Sequence, residues 1–327
     1  MKFYLAPLEG ITGYIYRNAL HDFYGDGIDK YFMPFLAPHT KRSFNAKEKN
    51  DILPEHNKGI LAIPQVLTNS ATDFLMIEKD LRTFGYHEIN LNLGCPSGTV
   101  VAKGRGAGFL ALPEQLDAFL YEIFEKTEAK ISIKTRIGMN EPEEFYELLE
   151  IYNKYPLEEL IIHPRVQKEL YRGTPHKEIF SYARIHSKNP LCYNGDICTK
   201  ADYVNLLEEW ETEDGNGESR MPVSAVMLGR GVLKTPWLIK ELASAAPWTE
   251  ENVALDKKKL LAFHDRLVAD YGAVMSGDKN VLFKMKEIWL YMNCQFPGKE
   301  KSLKKIKKAN NLAEYQAAVR EMFSGEI

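Results

Sequence analysis

The chain has 327 residues, of which 45% are hydrophobic and 27% charged, and its formal net charge is −3. This composition is typical of a globular protein with room for one large domain and a small one. No apolar run approaches the ~18 residues that a membrane span requires, and the chain begins without a signal-peptide core, so we expect a cytoplasmic protein without membrane contact. The slightly negative charge argues against a protein that coats nucleic acid with its whole surface.

The four cysteines also limit the possible functions. They are Cys95, Cys192, Cys198 and Cys294, and no two of them have CxxC spacing. Zinc and iron–sulfur sites use clustered ligands of that kind. We therefore expect reduced thiols and no metal site.

Short apolar strands alternate with amphipathic stretches through the first two-thirds of the chain. Strands are predicted at 2–6, 30–34, 59–66, 88–92, 130–135, 159–163, 190–194 and 224–228. Helices are predicted between them, for example at 71–84, 113–125, 142–155 and 200–210. Eight strands with crossovers long enough for helices favour an α/β fold, a closed (β/α)8 TIM barrel. An open doubly wound sheet is the alternative, but the first strand lacks the GxGxxG turn that such a sheet usually has.

Polar side chains end most of the predicted strands. They are Gln65, Asn92, Lys134, Arg136, His163, Arg165, Asn194 and Arg230. Taken singly, each has a structural explanation, such as a loop cap, a solvated strand end or a buried histidine. In a barrel, however, all these strand ends meet at one rim, which is where barrel active sites form. Their recurrence at equivalent positions therefore favours a functional site.

Cys95 follows the fourth predicted strand. Gly94 and Pro96 interrupt the alternating apolar pattern, which predicts that Asn92 and Cys95 lie just beyond the strand's carboxyl end. Most cysteines without a disulfide are small buried hydrophobes. A loop thiol with an ordinary pKa of about 8.5 is instead mostly protonated at neutral pH and can donate a proton.

Two glycine-containing turns follow the last two strands. They are Asn194-Gly195-Asp196 and Gly229-Arg230-Gly231. Barrels commonly bind a phosphate at this position through backbone N–H groups, and Arg230 would add charge-assisted hydrogen bonds. Lys134 and Gln65 are then placed to contact the polar edge of a ring system attached to that phosphate.

The last third of the chain predicts a small helical domain. Helical periodicity covers 257–275, 281–293 and 311–323, and we place the domains at 1–243 and 244–327. Between positions 279 and 308 there are nine lysines and only two glutamates. Such a run is usually a solvated helix face. Trp289, Tyr291 and Phe296 occur among these lysines at a spacing typical of a helix core.

Together these segments resemble the bacterial tRNA-dihydrouridine synthases across essentially the whole barrel. The matching segments are Ala6-Pro7-Leu8-Glu9-Gly10-Ile11-Thr12, Gln65, Asn92-Leu93-Gly94-Cys95-Pro96, Lys134-Thr135-Arg136, His163-Pro164-Arg165, Tyr171-Arg172-Gly173, Asn194-Gly195-Asp196 and Leu228-Gly229-Arg230. One departure is Pro164, where the family pattern has glycine or alanine. We expect this proline to restrict the loop that follows His163.

The resemblance implies that FMN binds at the barrel mouth, that NADPH or NADH is the reductant, and that selected uridines in tRNA become 5,6-dihydrouridine. Hydride from flavin N5 would reach C6 of uracil, and Cys95 would be the catalytic proton donor to C5. The residues implied to bind FMN are Pro7, Leu8, Glu9, Gln65, Lys134, His163, Asn194, Gly195, Asp196, Gly229 and Arg230. Those implied to contact the RNA substrate are Asn92, Arg165, Lys284, Lys286, Lys304 and Lys305.

Because an RNA-modifying site is expected nearby, the lysine-rich stretch is predicted to bind the phosphates of the RNA backbone. Other functions stay open at this point: a flavin barrel of the dihydroorotate dehydrogenase kind acting on a free pyrimidine, a synthase acting on ribosomal RNA, and an RNA-binding protein without catalysis. The sequence contains no motif for the choice of uridine, for NADPH over NADH, or for an oligomeric state.

Overall fold

A computed structural model of the protein describes residues 1–39, 44–214 and 220–324. Its eight strands, β1 to β8, are Lys2–Leu5, Lys30–Leu36, Ala62–Val66, Glu88–Leu93, Lys130–Arg136, Glu159–His163, Leu191–Tyr193 and Val223–Leu228. Each strand pairs in parallel with the next, and β8 pairs with β1, so the sheet closes into a barrel. The predicted TIM barrel is confirmed, and the open-sheet alternative is wrong.

Helices connect the strands and form the last part of the chain. The α-helices in the described ranges, α1 to α14, are Tyr14–Tyr24, Ala46–Ile52, Ala71–Thr83, Gly98–Val101, Pro113–Lys126, Glu144–Tyr152, Lys177–His186, Lys200–Asp214, Arg230–Lys234, Leu238–Ala243, Glu250–Val274, Asp278–Met292, Glu300–Lys308 and Leu312–Phe323. Short 3₁₀ helices are Pro54–His56, Gly106–Ala111, Gln167–Glu169 and Asn293–Gln295. Within the described ranges, no helix is both long enough and apolar enough to cross a bilayer.

The barrel buries side chains on both faces of its sheet. Outward-facing residues form one large core with the surrounding helices. A smaller apolar cluster fills the inside of the barrel, and its members are Tyr4, Ala6, Phe32, Ile63, Ile161, Cys192, Ala225 and Met227. This packing of both faces explains why the strands read as nearly continuous apolar runs. It also leaves the strand ends as the place where polar side chains reach solvent.

The C-terminal helices pack directly on the barrel. Helix α11 lies against α1, where the rings of Tyr16 and Phe263 are 5.8 Å apart and Tyr24 Oη donates to the backbone oxygen of Asp256 at 2.9 Å. Their buried residues belong to the same continuous core as the outer face of the barrel. The division at 243/244 falls between α10 and α11 and stays a prediction, and positions 325–327 lie outside the described residues.

Several element boundaries differ from those predicted. The third strand begins at Ala62 rather than at position 59, because Gly59 has φ +82° and Leu61 is exposed. Helix α11 begins at Glu250, seven residues before the predicted start, because Thr249 and Asn252 form a reciprocal capping box. Helix α13 was not predicted as an element.

Candidate active site

The carboxyl ends of the strands surround an open cleft of about 960 Å³, a volume that includes solvent at its mouth. The structure brings thirteen of the predicted site residues together there, namely Pro7, Leu8, Glu9, Gln65, Asn92, Cys95, Lys134, His163, Asn194, Gly195, Asp196, Gly229 and Arg230. Arg136, Tyr171 and Cys198 also line it.

The backbone around Cys95 is held at several points. Asn92 Oδ1 accepts hydrogen bonds from the backbone N–H of Cys95 at 2.9 Å and of Gly94 at 3.1 Å. The Cys95 carbonyl accepts from Ala107 N at 3.1 Å. Gly106 has φ +56°, and a Cβ there would lie 2.8 Å from the Cys95 carbonyl oxygen. The glycine-rich segment therefore lets two backbones approach closely behind the cysteine.

The Cys95 side chain is half-buried in the cleft. Burial raises the pKa of its thiol, and the Ser97 backbone and the positive charges of Arg136 and Lys134 oppose that rise only in part. The thiol consequently stays protonated at neutral pH. This state suits a proton donor better than a nucleophile.

Asn92 has a different environment from the one expected for a substrate contact. It is largely buried, its Oδ1 holds the Cys95 turn, and its Nδ2 donates to Gln65 Oε1 at 2.7 Å. Gln65 in turn donates to Asn90 Oδ1 at 2.8 Å. Both amides are already engaged inside the barrel. Their first role is therefore to fix the wall of the cleft.

Lys134 supplies a cation to the floor of the cleft. It lies on β5 beside Asn92 on β4, and its Nζ has no hydrogen-bond or ion-pair partner among residues 1–39, 44–214 and 220–324. Burial, together with the nearby charge of Arg136, lowers the pKa of its amine to about 8. The side chain is only partly buried, so the amine is open to solvent and to a ligand in the cleft.

Arg165 does not line the cleft, contrary to the expectation that it contacts substrate. Its side chain has no exposed surface, and it donates to the carbonyls of Arg172 and Gly173 and to both carboxylate oxygens of Asp196. It thereby ties the loop after β6 to the turn after β7. No part of the guanidinium is accessible in this geometry, and its contact with substrate stays a prediction.

His163 is neutral in this arrangement. Burial and then the charges of Arg136, Lys134, Arg165 and Arg230 lower the pKa of its imidazole well below its ordinary value. Its Nε2 is 3.2 Å from Arg165 Nη1, which can only donate, so Nε2 must accept and carries no proton. His163 is therefore a neutral, polar wall of the cleft.

The two glycine turns meet as predicted, but their charged side chains bind each other. Arg230 Nη2 donates to Asp196 Oδ1 at 2.5 Å. Burial favours the neutral carboxyl, yet Arg165 and Arg230 outweigh that effect and lower the pKa of Asp196. An ionised carboxylate repels phosphate, so Asp196 orients Arg230 rather than binding an anion itself. A Cβ on Gly231 would lie 2.3 Å from the Ile197 carbonyl, so only glycine allows the turns to touch.

The sequence pattern assigns no role to Tyr171, which lines the cleft. Its ring is half exposed and faces the guanidinium carbons of Arg230 at 4.8 Å and Arg136 at 5.3 Å. The preceding residue, Leu170, has φ +56°, and its carbonyl accepts from Arg136 Nη2 at 2.6 Å. Strained backbone of this kind often occurs at functional sites. The only available signal was the Tyr171-Arg172-Gly173 motif.

The lysines expected to contact RNA divide into two groups. Lys304 and Lys305 are exposed on α13, and Lys305 also pairs with Glu321 at 2.6 Å. Lys284 donates to the Gly10 carbonyl, and Lys286 donates to the Ala309 carbonyl at 2.5 Å. Both of these ammonium groups are part-buried and hold other segments of the chain, and their contact with RNA stays a prediction.

The closed barrel and its cation-lined, thiol-bearing mouth define a (β/α)8-barrel enzyme, and no metal-binding group of three or more His, Cys, Asp or Glu occurs in the described ranges. The sequence model of the dihydrouridine synthase (Dus) family matches residues 4–325. The chain therefore belongs to the dihydrouridine synthase family and is an oxidoreductase.

Individual relatives agree with this assignment. A probable tRNA-dihydrouridine synthase of Staphylococcus aureus is 26% identical over 261 residues, covering 73% of this chain and 70% of that protein. The tRNA-dihydrouridine(16) synthase of Pseudomonas putida is 28% identical over 253 residues, covering 75% and 74%. Among solved structures, 6-hydroxypseudooxynicotine amine oxidase from Pseudomonas geniculata N1 has a TM-score of 0.50 at 9% identity, covering 74% of this chain and 46% of that one. This last similarity concerns the fold alone.

Proposed function

We propose that the protein reduces uridines in tRNA to 5,6-dihydrouridine in the cytoplasm, with FMN as cofactor and NADPH or NADH as reductant. The observation that carries the proposal is that the half-buried Cys95 thiol lies in the same cleft as the Lys134 amine and two glycine turns. The names of the relatives support the choice of tRNA uridine as substrate.

The mouth has groups suited to FMN. The unpaired Lys134 amine matches the electron-rich edge of a flavin ring, and Pro7 and Leu8 supply one wall for it. The Gly195 and Gly229 turns with Arg230 suit the phosphate end. Glu9 is exposed at the rim, where Lys47 pairs with it at 2.6 Å. When bound there, FMN would supply the hydride for C6 of uracil.

Cys95 would complete the reduction by protonating C5. The C5=C6 bond of uracil is conjugated to the C4 carbonyl, so addition of hydride at C6 places negative charge on C5 and O4. The S–H bond breaks, a C5–H bond forms, and the thiolate is reprotonated from solvent. Proton transfer from a positioned donor typically contributes about 10²–10⁴-fold. The target base must leave its stack to reach this cleft.

Residues 244–327 would bind the tRNA. Helix α13 presents a row of exposed lysines, namely Lys301, Lys304, Lys305, Lys307 and Lys308. Its apolar contacts are made by Ile306, which is fully buried, and by Leu303, which is partly buried, so the helix is anchored on one side and basic on the other. Such a face suits phosphate contacts along an RNA backbone.

The test compares the wild-type protein, Cys95→Ala and a control, Cys294→Ala, whose thiol is exposed outside the cleft. Each protein is incubated with FMN, NADPH and unmodified tRNA, and dihydrouridine is measured by mass spectrometry of nucleosides. We expect Cys95→Ala to retain FMN and to form dihydrouridine about 10²-fold more slowly, whereas Cys294→Ala matches the wild type.

Four results would contradict the proposal. Near-normal turnover by Cys95→Ala removes the thiol from the mechanism. Reduction of free uracil or orotate in preference to tRNA identifies a free-pyrimidine enzyme, and activity confined to ribosomal RNA changes the substrate. Purified protein that neither contains nor binds flavin is an RNA-binding protein without this chemistry.

A further inference from the structure

One layer inside the barrel is polar. The strand register places Gln65 on β3, Asn90 on β4 and Ser132 on β5 side by side, and none of the three side chains has exposed surface. Barrel interiors are usually filled by branched apolar residues. Buried polar groups at these positions are costly unless they are fully hydrogen-bonded. Their presence therefore calls for a functional explanation.

These side chains form a continuous hydrogen-bonded chain that ends at the cysteine. Ser132 Oγ accepts from Asn90 Nδ2 at 2.9 Å, Asn90 Oδ1 accepts from Gln65 Nε2 at 2.8 Å, and Gln65 Oε1 accepts from Asn92 Nδ2 at 2.7 Å. Asn92 Oδ1 then accepts from Cys95 N at 2.9 Å. We call Asn92, Gln65, Asn90 and Ser132 the amide ladder.

The direction of every bond in the amide ladder is determined by its two ends. At the upper end the partner is the Cys95 backbone N–H, which can only donate. At the lower end Ser132 Oγ lies 3.4 Å from Glu88 Oε1, a carboxylate that also accepts from Lys30 Nζ at 2.8 Å. Reversing any one amide would place donor against donor or acceptor against acceptor elsewhere in the chain. The ladder therefore has one stable orientation.

In this orientation the amide ladder binds the backbone N–H groups of Gly94 and Cys95, whereas the other contacts of the turn bind its carbonyl groups. Arg136 Nε and Ala107 N bind the carbonyls of Gly94 and Cys95, whereas Asn92 Oδ1 accepts from the N–H groups of both residues. Rotation of the Asn92 amide would release both N–H groups together. The turn and its thiol would then lose their fixed position at the cleft.

We propose that the amide ladder sets the position of the Cys95 thiol, and that Asn90 and Ser132, which do not line the cleft, are positioning residues for proton delivery to C5. This inference rests on the proposed function for its catalytic part only. Its structural part, control of the Cys95 turn from inside the barrel, is independent of the substrate.

The experiment uses the full-length protein with Ser132→Ala and Asn90→Ala, each of which interrupts the ladder at a different member. Ile161→Val is the matched control. Ile161 is fully buried inside the barrel, so its replacement by valine removes packing without removing a hydrogen bond of the amide ladder. Two quantities are measured: the rate of iodoacetamide alkylation of Cys95, resolved by peptide mass spectrometry, and kcat and KM for tRNA.

We expect alkylation of Cys95 to become about tenfold faster in both ladder variants, the size of effect that one unsatisfied buried group produces. We expect kcat to fall about tenfold with KM for tRNA unchanged, because the thiol is misplaced while the RNA surface is intact. Ile161→Val should match the wild type in both measurements. Asn90→Ala decides the matter where Ser132→Ala does not fold.

The two proposals fail in different ways. Ladder variants that match Ile161→Val in alkylation overturn the positioning role. Faster alkylation with an unchanged kcat overturns its catalytic part. A wild-type protein that forms no dihydrouridine, together with faster alkylation in the variants, overturns the proposed function and leaves the ladder's control of Cys95 supported.

Discussion

Replacing Asp196 with asparagine tests the charge network at the wall of the cleft. The carboxylate accepts from Arg165 Nη2 at 2.5 Å, from Arg165 Nη1 at 3.0 Å and from Arg230 Nη2 at 2.5 Å. The Arg165 side chain is completely buried, whereas the side chains of Asp196 and Arg230 are 36% and 31% exposed. Asp196→Asn therefore leaves a buried guanidinium without its counter-charge.

The expected cost follows from this burial. Removing one partner of a fully buried ion pair costs about 3–5 kcal/mol. Here the carboxylate is partly solvated, and Arg165 keeps its bonds to the carbonyls of Arg172 and Gly173. We therefore expect a loss of about 2 kcal/mol in the free energy of unfolding, which lowers Tm by about 4 °C.

The pH dependence has a definite sign. The pKa of Asp196 is lowered in the folded protein, so its contribution is complete above the unfolded pKa of about 3.9. That contribution disappears as the pH falls through the folded pKa. The difference in stability between wild type and Asp196→Asn should be constant from about pH 5 to 8 and shrink below about pH 4.

Urea unfolding at several pH values measures this difference. The matched control is Asp22→Asn, since Asp22 pairs with Arg266 at 3.2 Å and both side chains are more than 40% exposed. An exposed pair contributes at most about 1 kcal/mol. A loss in Asp196→Asn no larger than in Asp22→Asn, or a difference that grows as the pH falls, would refute the reasoning.

Three further outcomes are expected. Arg230→Ala should weaken FMN binding, measured by flavin fluorescence, because a phosphate contact is lost; unchanged affinity would remove that contact. Because the pKa of Lys134 is about 8, wild-type FMN affinity should fall between about pH 7 and 9 as the amine loses its charge, whereas Lys134→Met should be insensitive to pH there. Alanine substitution of four α13 lysines should weaken tRNA binding and flatten its salt dependence without changing FMN content. The four are Lys304, Lys305, Lys307 and Lys308. Alanine at Lys130, at the opposite end of the barrel, should leave tRNA binding and its salt dependence unchanged.

The architecture of the mouth follows from patterns that are local in sequence. Strand β4 could be placed because apolar residues alternate up to Leu93, and Gly94 and Pro96 end it. Once eight such strands close into a barrel, their ends must converge, so Cys95 and Lys134 belong to one cleft without any knowledge of their contacts. The position of a residue at a strand end is thus encoded locally.

The direction in which a side chain points from that position is not encoded locally. Arg165 turns inward because its acceptors lie on a loop seven and eight residues later and on the turn after β7. Lys284 is bound by the Gly10 carbonyl, 274 residues away in the chain. Helix α13 lacks a clear apolar periodicity, because Ile306 is its one apolar residue that is fully buried and lysines occupy most other positions. Long-range partners decide these cases.

The charges at the mouth suit an anionic ligand. Lys134, Arg136 and Arg230 line the cleft and Arg165 lies buried behind it, in a chain whose net charge is −3. Burial lowers the pKa of His163 most, and the charges of these four residues lower it further. A fifth positive charge on the imidazole would add to this repulsion. The mutual repulsion of buried cations lowers the stability of the folded protein unless counter-charges compensate for it.

The chain supplies counter-charges for only some of these cations. Asp196 neutralises Arg165 and orients Arg230 at the phosphate end, where Arg230 remains a third exposed, whereas Lys134 has no partner in the described part of the chain. A ligand with a phosphate at one end and an electron-rich ring edge at the other would satisfy both. Binding such a ligand must stabilise the fold by RT ln(1 + [L]/Kd).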